Sequence, residues 1–474
     1  MKLVFGGHNS WILHNENTTI YFDPIFNDGK GIKADGGKIF PPRVVDFGKL
    51  PKPDFVFISH EHTDHFHIPT ILNISRDAVI VVGNLMPQFV TDILFDCGFK
   101  NIIRQQTSVP ERFGSFKITL YNAGSRTAFW EQRVTQLLVE GFTNDFDPIY
   151  FSVDAALSEY FIDDVNRGGI KPPKIIAISN NSESSSDSDF GTLDDLRTSK
   201  LKSDKALFNL RLLKELFIDF VPSQLLIDKY LIVGGGFVKD GYNYNIESLN
   251  RQLDLVNLAN SLFLSKKAIA PMPGSSYEIG VDSFMEYQCE FIWCDEVSKH
   301  LTDKVEKLSL IPTKTCDGFF KDKNYQNHAL QNLKNYLPCL VKALLLSGQG
   351  RLASTMTNFN GNLLGNSRIL IVFILDFNEP NYQIKLDFQK SKFIEDFTPL
   401  ELANEIFPFG LIIHLCDWEA VHQGQLQIWD IADSMKSWYV DDNPFYSLIS
   451  FLYIHLGEQL RPDLAFKALK STLK

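Results

Sequence analysis

The sequence has few cysteines and no long hydrophobic run. Its 474 residues include six cysteines, none in a CxxC pair, which argues against a disulfide framework or a thiolate zinc knuckle and predicts reduced thiols. The most apolar segment, Ile369 to Leu375, has seven residues, whereas roughly 20 are needed to cross a bilayer. The apolar run after Lys2 is too short for a signal peptide. We therefore expect a soluble cytoplasmic protein that does not bind membranes.

Basic residues are also in short supply. The chain has 46 Lys and Arg against 57 Asp and Glu, a net charge of −11, which argues against general binding to a phosphate backbone. Hydrophobic residues make up 44% and charged residues 22%, as in ordinary globular proteins. The charge balance argues against a nucleic acid as partner. The expected partner is a small-molecule substrate, and the oligomeric state is left open.

The distribution of apolar residues predicts two domains. Residues 1–125 contain short β-branched and aromatic runs that alternate with helical stretches such as Met86 to Phe95, a pattern typical of an α/β domain. We place this domain at residues 1–290, with an exposed Ser- and Asp-rich insertion near residues 180–190. Residues 300–474 combine helical spacing with two strand candidates, at Ile369–Phe377 and Tyr382–Phe388. They are interpreted as a smaller α+β domain.

The segment from Asp54 to His67 carries the strongest chemical signal. An apolar strand leads directly into four possible metal ligands: His60, His62, Asp64 and His65. Because side chains alternate along a strand, His60 and His62 project to one side, and the following turn can bring the other two to the same point. Pro69 is tolerated in the first turn of a helix, so the ligands lie in a strand-to-helix connection. The spacing predicts a metal site.

This HxHxDH pattern resembles the metallo-β-lactamase fold superfamily, whose αββα sandwich holds metals at one sheet edge. Further segments look like elements of the branch that contains ascorbate-6-phosphate lactonase and N-acyl-phosphatidylethanolamine phospholipase D: Gly7-His8-Asn9-Ser10, Phe22-Asp23-Pro24 and Phe40-Pro41-Pro42-Arg43. The strand from Ile149 to Ala156 resembles the one that ends in the metal-bridging aspartate, which assigns that role to Asp154. The resemblance covers residues 1–285. It implies metal ligands at His60, His62, Asp64, His65 and Asp154.

The sequence departs from this family at two ligand positions. Neither Asn122 to Arg126 nor Ala270 to Ser275 contains the expected histidine, and there is no histidine between His67 and His300. A two-zinc site with five histidines therefore cannot be assembled from the first domain. This loss is more similar to the metallo-β-lactamase-like part of CMP-N-acetylneuraminate hydroxylase, although no CxH…CxxH pattern of a Rieske centre is present.

We predict a metal-dependent hydrolase in which metal-bound hydroxide attacks a small ester, lactone or phosphate-containing substrate. Asp64 would orient or deprotonate the water, and His8 would contact the substrate or serve a structural hydrogen bond. We expect one or two divalent ions, with zinc preferred over iron or manganese. Because mixed His and carboxylate ligands also suit non-haem iron, an iron-dependent oxygenase is the alternative. A metal-free binding protein is the third hypothesis. Asp23 is expected to hydrogen-bond a ligand histidine.

Overall fold

The computed structural model describes residues 1–26, 33–34, 37–39, 41, 43–127, 131–179, 210, 213–215, 217–221, 225–233, 237–238, 253, 255–264, 267–294, 311–312, 314–356, 367–439 and 447–473. The chain forms two compact units, the first containing Met1–Ser184 and Ser203–Asp303 and the second containing Lys304–Thr472. The insertion predicted near residues 180–190 lies outside the described residues. No helix in the described ranges is long and apolar enough to cross a bilayer.

The described strands of the first unit are numbered β1 to β20 in chain order. Their bounds are Lys2–Gly7, Ser10–Asn15, Thr18–Phe22, Lys33–Ala34, Gly37–Ile39, Arg43–Val45, Phe55–Ile58, Val79–Gly83, Ile102–Gln105, Pro110–Phe113, Phe116–Asn122, Thr135–Gly141, Ile149–Phe151, Ile175–Ser179, Lys229–Val233, Phe237–Val238, Ala268–Ile269, Ser275–Gly280, Ser283–Gln288 and Ile292–Cys294. The described helices here are α1 (Ile68–Ile71), α2 (Gln88–Asp96) and α3 (Glu159–Asn166), with a 3-10 turn at Ile218–Phe220 and a π-helical turn at Asn260–Leu264.

Two large sheets organise the first unit. One has the strand order β19-β18-β1-β2-β3-β7-β8-β9, and the other has the order β10-β11-β12-β13-β14-β15-β17. Their facing side chains share one core, in which the ring centroid of Phe151 lies 5.5 Å from that of Trp11 and 5.4 Å from that of Phe22. These contacts join the two sheets into a sandwich, because apolar faces on both sheets exclude water only when they meet.

Helices cover the outer faces of the sandwich. Phe161 of α3 stacks on Tyr150 of the second sheet, with ring centroids 3.9 Å apart. Helix α2 buries Val90, Ile93 and Leu94 along one face and ends at Asp96. Gly98 follows with a φ of 92°, a conformation that favours glycine. The predicted α/β layers of an αββα sandwich are confirmed for the first unit.

Strand pairing places several loops at the same edge. Strand β3 runs parallel to β7, with Phe22 opposite Phe57, and β13 runs parallel to β14, with Phe151 opposite Ala177. The carboxyl ends of parallel strands meet at one sheet edge. Asp23 and Ser59 therefore follow neighbouring strands at one edge of the first sheet, and Asp154 follows β13 in the second sheet.

The second unit contains one described sheet with the strand order β23-β22-β21-β24-β25. Its strands are β21 (Ser367–Ile374), β22 (Tyr382–Asp387), β23 (Lys392–Glu395), β24 (Phe409–His414) and β25 (Met435–Trp438). Its described helices are α4 (Lys323–Leu346), α5 (Gly348–Thr355), α6 (Leu400–Ile406), α7 (Leu415–His422), α8 (Leu448–Leu456) and α9 (Pro462–Ser471), with a 3-10 turn at Trp429–Ser434. Apolar clusters cover both faces of this sheet. Both predicted strands are present, each slightly shorter than expected at its carboxyl end.

Gly410 is required by close packing in the second unit. It pairs with Trp438 across β24 and β25, and a Cβ atom at Gly410 would overlap the indole ring. That ring is held in place because its Nε1 donates a hydrogen bond of 2.7 Å to the carbonyl of Phe407. We expect Gly410→Ala to lower the free energy of unfolding by about 1–3 kcal/mol through overpacking, measured by urea denaturation followed by circular dichroism.

Gly169→Ala is the matched control, because the nearest atom to its added Cβ is the carbonyl oxygen of Asp164 at 3.5 Å. Its effect should remain within about 0.5 kcal/mol. Combining Gly410→Ala with Trp438→Leu should recover part of the loss by making room for the methyl group. Equal denaturation midpoints for Gly410→Ala and the unmodified chain would contradict the packing argument.

Candidate metal centre

A short turn at the end of β7 gathers the HxHxDH side chains. After Ile58 the backbone leaves the sheet, and the amides of His65 and Phe66 both donate to the carbonyl of His62, at 2.9 and 2.6 Å. This reversal is followed at once by α1, with Pro69 in its first turn as predicted. The four candidate ligands of the motif are all buried. The local sequence thus folds into a compact loop that points several polar groups inward.

The structure brings every predicted site residue into one cluster. Three overlapping groups have potential ligand atoms within 4.8 Å of one another. These groups are His8–Asp64–His65, His60–His65–Asp154 and His60–His62–Asp64. Imidazole nitrogens and carboxylate oxygens are the donor set that zinc and non-haem iron accept. The residues present therefore fit one or two divalent metal ions.

His65 belongs to both the His8–Asp64–His65 group and the His60–His65–Asp154 group. Its Nε2 lies 3.0 Å from Asp154 Oδ2 and 3.6 Å from Asp64 Oδ2, and its Nδ1 lies 2.7 Å from Asp23 Oδ2. Burial alone would lower the pKa of His65, but Asp154, Asp64 and Asp23 together raise it well above its usual value. A proton on this ring supplies positive charge that offsets the neighbouring carboxylates. A metal ion and this proton would fulfil the same electrostatic need.

Asp23 and Ser59 set the orientation of two histidines. Asp23 accepts hydrogen bonds from the Ser59 amide at 2.8 Å and the Ser59 hydroxyl at 2.6 Å, in addition to its contact with His65. The expectation that Asp23 hydrogen-bonds a histidine of the motif is confirmed. Ser59 was not predicted, although its position directly before His60 at a strand end was the available signal. Burial raises the pKa of Asp23, and the neighbouring His65 opposes that rise.

His60 presents a free lone pair to the cluster. The Ser59 hydroxyl donates its only hydrogen to Asp23, so at 2.9 Å from His60 Nδ1 it acts as the acceptor and Nδ1 carries the proton. Burial lowers the pKa of His60 well below its usual value, which keeps the ring neutral. Its Nε2 is buried and meets no hydrogen-bond partner within the described part of the chain. A buried acceptor oriented in this way is what a metal ion would require.

Asp154 is oriented by groups from both sheets. Its Oδ1 accepts from Asn9 Nδ2 and from the Ser179 hydroxyl, both at 2.8 Å, which leaves Oδ2 directed towards His65. Burial opposes ionisation of Asp154, but the adjacent His65 keeps its pKa lowered. Asn9 belongs to a motif that the sequence had singled out, whereas Ser179 carried no such signal because it ends a strand 25 residues further along.

An arginine network surrounds His62. Arg133 Nε donates to Glu61 Oε1 at 2.6 Å, and its Nη1 donates to Glu131 at 3.1 Å. Arg133 Nη2 lies 3.3 Å from His62 Nε2, and since guanidinium nitrogens only donate, the imidazole is the acceptor. A metal bound through that nitrogen would have to displace Arg133. Sequence reasoning did not identify this arginine, which lies 71 positions from His62.

The two positions that lack a histidine are occupied by backbone turns. The amide of Ser125 donates to Glu159 at 2.8 Å, so the segment after β11 is held by α3. The turn after β17 is held by β1, because the Gly274 amide donates to the carbonyl of Phe5 at 2.7 Å. Neither turn provides an imidazole. The cluster therefore has fewer histidines and relatively more carboxylates than a five-histidine site.

Comparisons with known proteins agree with this architecture. Residues 2–131 match the family model for the beta-lactamase superfamily domain, which confirms the superfamily recognised from the HxHxDH motif. A metal-dependent hydrolase of the UPF0173 group from Salinibacter ruber is 25% identical over 92 residues, covering 19% of this chain and 35% of that protein. The chain thus matches only about a third of the length of this curated relative.

Several solved structures are similar to this chain. An isothiocyanate hydrolase from Delia radicum gut bacteria has 14% identity and a TM-score of 0.38, covering 59% of this chain and 99% of that one. CmlA, a diiron beta-hydroxylase from Streptomyces venezuelae, has 15% identity and a TM-score of 0.39, covering 61% and 54%. The metallo hydrolase Igni18 from Ignicoccus hospitalis has 16% identity and a TM-score of 0.35, covering 61% and 99%.

Removing His60 and His62 together tests whether the cluster holds metal. We expect His60→Ala/His62→Ala to lose bound metal while the core remains folded, because neither side chain belongs to the apolar core between the sheets. Metal content is measured by plasma mass spectrometry on protein purified without added metal, and folding by circular dichroism. His14→Ala/His328→Ala is the matched control and should keep its metal. Full metal content in the first double variant would refute the assignment.

The Asp23→Asn variant tests whether the hydrogen bonds of Asp23 orient the candidate ligands for metal binding. Loss of the carboxylate charge should weaken the orientation of His65 and of the Ser59–His60 pair, and outer-shell changes of this kind reduce metal affinity about 10–100-fold. Competition with a chromophoric chelator measures the affinity. Asp54→Asn is the control, since Asp54 makes a comparable hydrogen bond of 2.8 Å to the Thr19 amide outside the cluster. Equal affinities for the Asp23→Asn variant and the unmodified chain would show that Asp23 has no such role.

Proposed function

We propose that the first unit, a metallo-β-lactamase-like domain, is a metal-dependent hydrolase of a small ester, lactone or phosphate-containing substrate. The observation that carries the proposal is the buried Nε2 lone pair of His60, aimed into a cluster of imidazoles and carboxylates. A neutral imidazole whose Nδ1 donates to Ser59 presents its unprotonated Nε2 to the cluster, where this nitrogen can ligate a metal ion but cannot donate a hydrogen bond.

The proposed ligands are His60, His62, Asp64, His65 and Asp154. A divalent ion bound among them would supply Lewis acidity and activate water for attack. The chain itself supplies the orientation: Ser59 and Asp23 fix two histidines, and Asn9 fixes Asp154. Because these supports come from several loops at one sheet edge, the donor atoms are positioned before substrate binds.

His8 and Asp64 form the proposed proton-handling pair. His8 Nε2 lies 2.8 Å from Asp64 Oδ2, and both side chains are buried. His8 adopts a positive φ of 55°, a conformation that residues with side chains adopt rarely and that aims this ring at Asp64. A proton released during attack can be held on Asp64 or His8 and returned to the departing oxygen.

The ligand set also supports a second candidate, an iron-dependent oxygenase. With two histidine positions replaced by turns, the cluster combines three motif histidines with Asp64 and Asp154, and mixed sets of this type are typical of non-haem iron. This reaction would need electrons from another protein or a small reductant, since the sequence has no Rieske pattern. The identity of the bound metal separates the two candidates.

We expect His8→Gln to retain metal but to lower kcat for ester or lactone hydrolysis by about 10²–10⁴-fold, the usual contribution of a positioned acid or base. The assay uses a panel of small esters, lactones and phosphodiesters with protein of measured metal content. His14→Gln serves as the control and should leave turnover unchanged.

The outcomes of this assay separate the candidate functions. Zinc or manganese together with hydrolysis supports the proposal. Near-stoichiometric iron with consumption of dioxygen and no hydrolysis supports the oxygenase. Absence of both metal and turnover overturns an enzymatic role and favours the binding-protein hypothesis.

A further inference from the structure

Arg43 is a buried charge that has no hydrogen-bond partner among the described residues. It begins β6, and its side chain is 1% exposed. Within the described residues, no acceptor forms a hydrogen bond with its Nε, Nη1 or Nη2. Burial lowers the pKa of this guanidinium to about 9, and no neighbouring carboxylate opposes that shift. Since an arginine keeps its charge in proteins, its unmet donors represent a cost that a bound anion would remove.

The guanidinium lies against the backbone that carries His8. Gly7 has a φ of 96°, and a Cβ atom added there would lie 2.9 Å from Arg43 Cδ and 3.0 Å from Arg43 Cζ, with Nη1 closer still. Only glycine permits this approach. The next residue, His8, contacts Asp64 in the candidate metal centre. The guanidinium of Arg43 thus lies against Gly7, and the next residue along the chain, His8, belongs to the candidate metal centre.

A chain of backbone contacts holds Arg43 in this place. Strand β6 pairs with β20, with Arg43 opposite Cys294 and Val45 opposite Ile292. The carbonyl of Ile292 also packs against Gly274, whose amide binds the end of β1 at Phe5. The arginine is therefore fixed beside the turn that stands where the family's last histidine is expected.

We propose that Arg43 binds an oxyanion, a carboxylate or phosphate, carried by the substrate beside the metal centre. This inference rests on the proposed hydrolase function and narrows its substrates to anionic ones. A planar guanidinium with five donors matches two oxygens of a carboxylate or phosphate at once. Exclusion of water from the site strengthens this pairing. The arginine would orient the substrate, and the metal ligands would act on its ester or lactone group.

Binding of simple anions tests this inference without relying on turnover. Inorganic phosphate, acetate and uncharged acetamide are titrated calorimetrically into the full chain as purified. We expect one or both anions to bind and acetamide not to bind. Preference for phosphate or for acetate identifies the anionic group. Arg43→Met should weaken binding of the preferred anion about tenfold or more, as expected when a buried charge-assisted hydrogen bond is lost.

Two further variants separate folding and metal effects from anion binding. Arg43→Lys keeps the positive charge but loses the planar guanidinium that can bind two oxygens at once. Its affinity for the anion should therefore fall between those of the unmodified chain and Arg43→Met. Arg43→Met should unfold at the same or a higher temperature in the absence of anion, because it removes an uncompensated charge. Arg112→Met is the control, since Arg112 already donates to the carbonyl of Gly114 at 2.9 Å.

The His60→Ala/His62→Ala variant distinguishes the two proposals. If it still binds the anion in an Arg43-dependent manner while hydrolysis is absent from the unmodified chain, the anion site stands and the hydrolase function fails. Equal anion affinity in the unmodified chain and Arg43→Met would overturn the anion site, even where hydrolysis of uncharged esters is observed. Absence of anion binding to the unmodified chain would overturn it as well.

Discussion

Two buried carboxylates, Asp23 and Asp64, and the half-buried carboxylate of Asp154 surround the imidazole of His65. Their mutual repulsion is the constraint on which the first unit depends, because charges removed from water require compensation nearby. The three carboxylates raise the pKa of His65, and His65 in turn keeps the pKa of Asp154 lowered. The same arrangement would accept a divalent cation in exchange for protons.

The sandwich provides the rigidity that such a cluster needs. Its two sheets are joined by aromatic contacts at Phe151, only three residues before Asp154. Asp23 and Ser59 follow neighbouring parallel strands, so their separation is set by the sheet and not by a flexible loop. Polar groups held in this way can be oriented in advance, as ligation and catalysis both require.

The first unit concentrates its unusual features at one edge. His8, Asp23 and Val153 all have positive φ values, and each lies next to or within the cluster. Backbone strain of this kind persists only where surrounding contacts enforce it, and it is common at functional sites. Arg43 adds a buried positive charge beside the same edge. Together these features describe a site that combines a cation-binding cluster with an oxyanion-binding arginine.

The second unit has a core and a five-stranded sheet of its own. Strand β21 was predictable from its continuous apolar run, and β22 from the alternation of Tyr382, Ile384 and Leu386 with polar residues. The predicted helix from Met86 to Phe95 in the first unit was similarly close to the observed Gln88–Asp96. Local apolar patterns were sufficient for these elements, since each is stabilised mainly by burying its own apolar face.

The sequence alone determined the α/β character of the first unit and the HxHxDH cluster, because strand periodicity and ligand spacing are both local properties, and the family resemblance carried by that motif implied the αββα sandwich. Only the tertiary structure showed that Ser59 sets the tautomer of His60, that Arg133 meets His62, and that Arg43 lies unpartnered against Gly7. These relations join residues separated by up to 71 positions or depend on which atom donates a hydrogen. Chain order does not encode such contacts directly, since they arise only when strands from distant segments pair at a common edge.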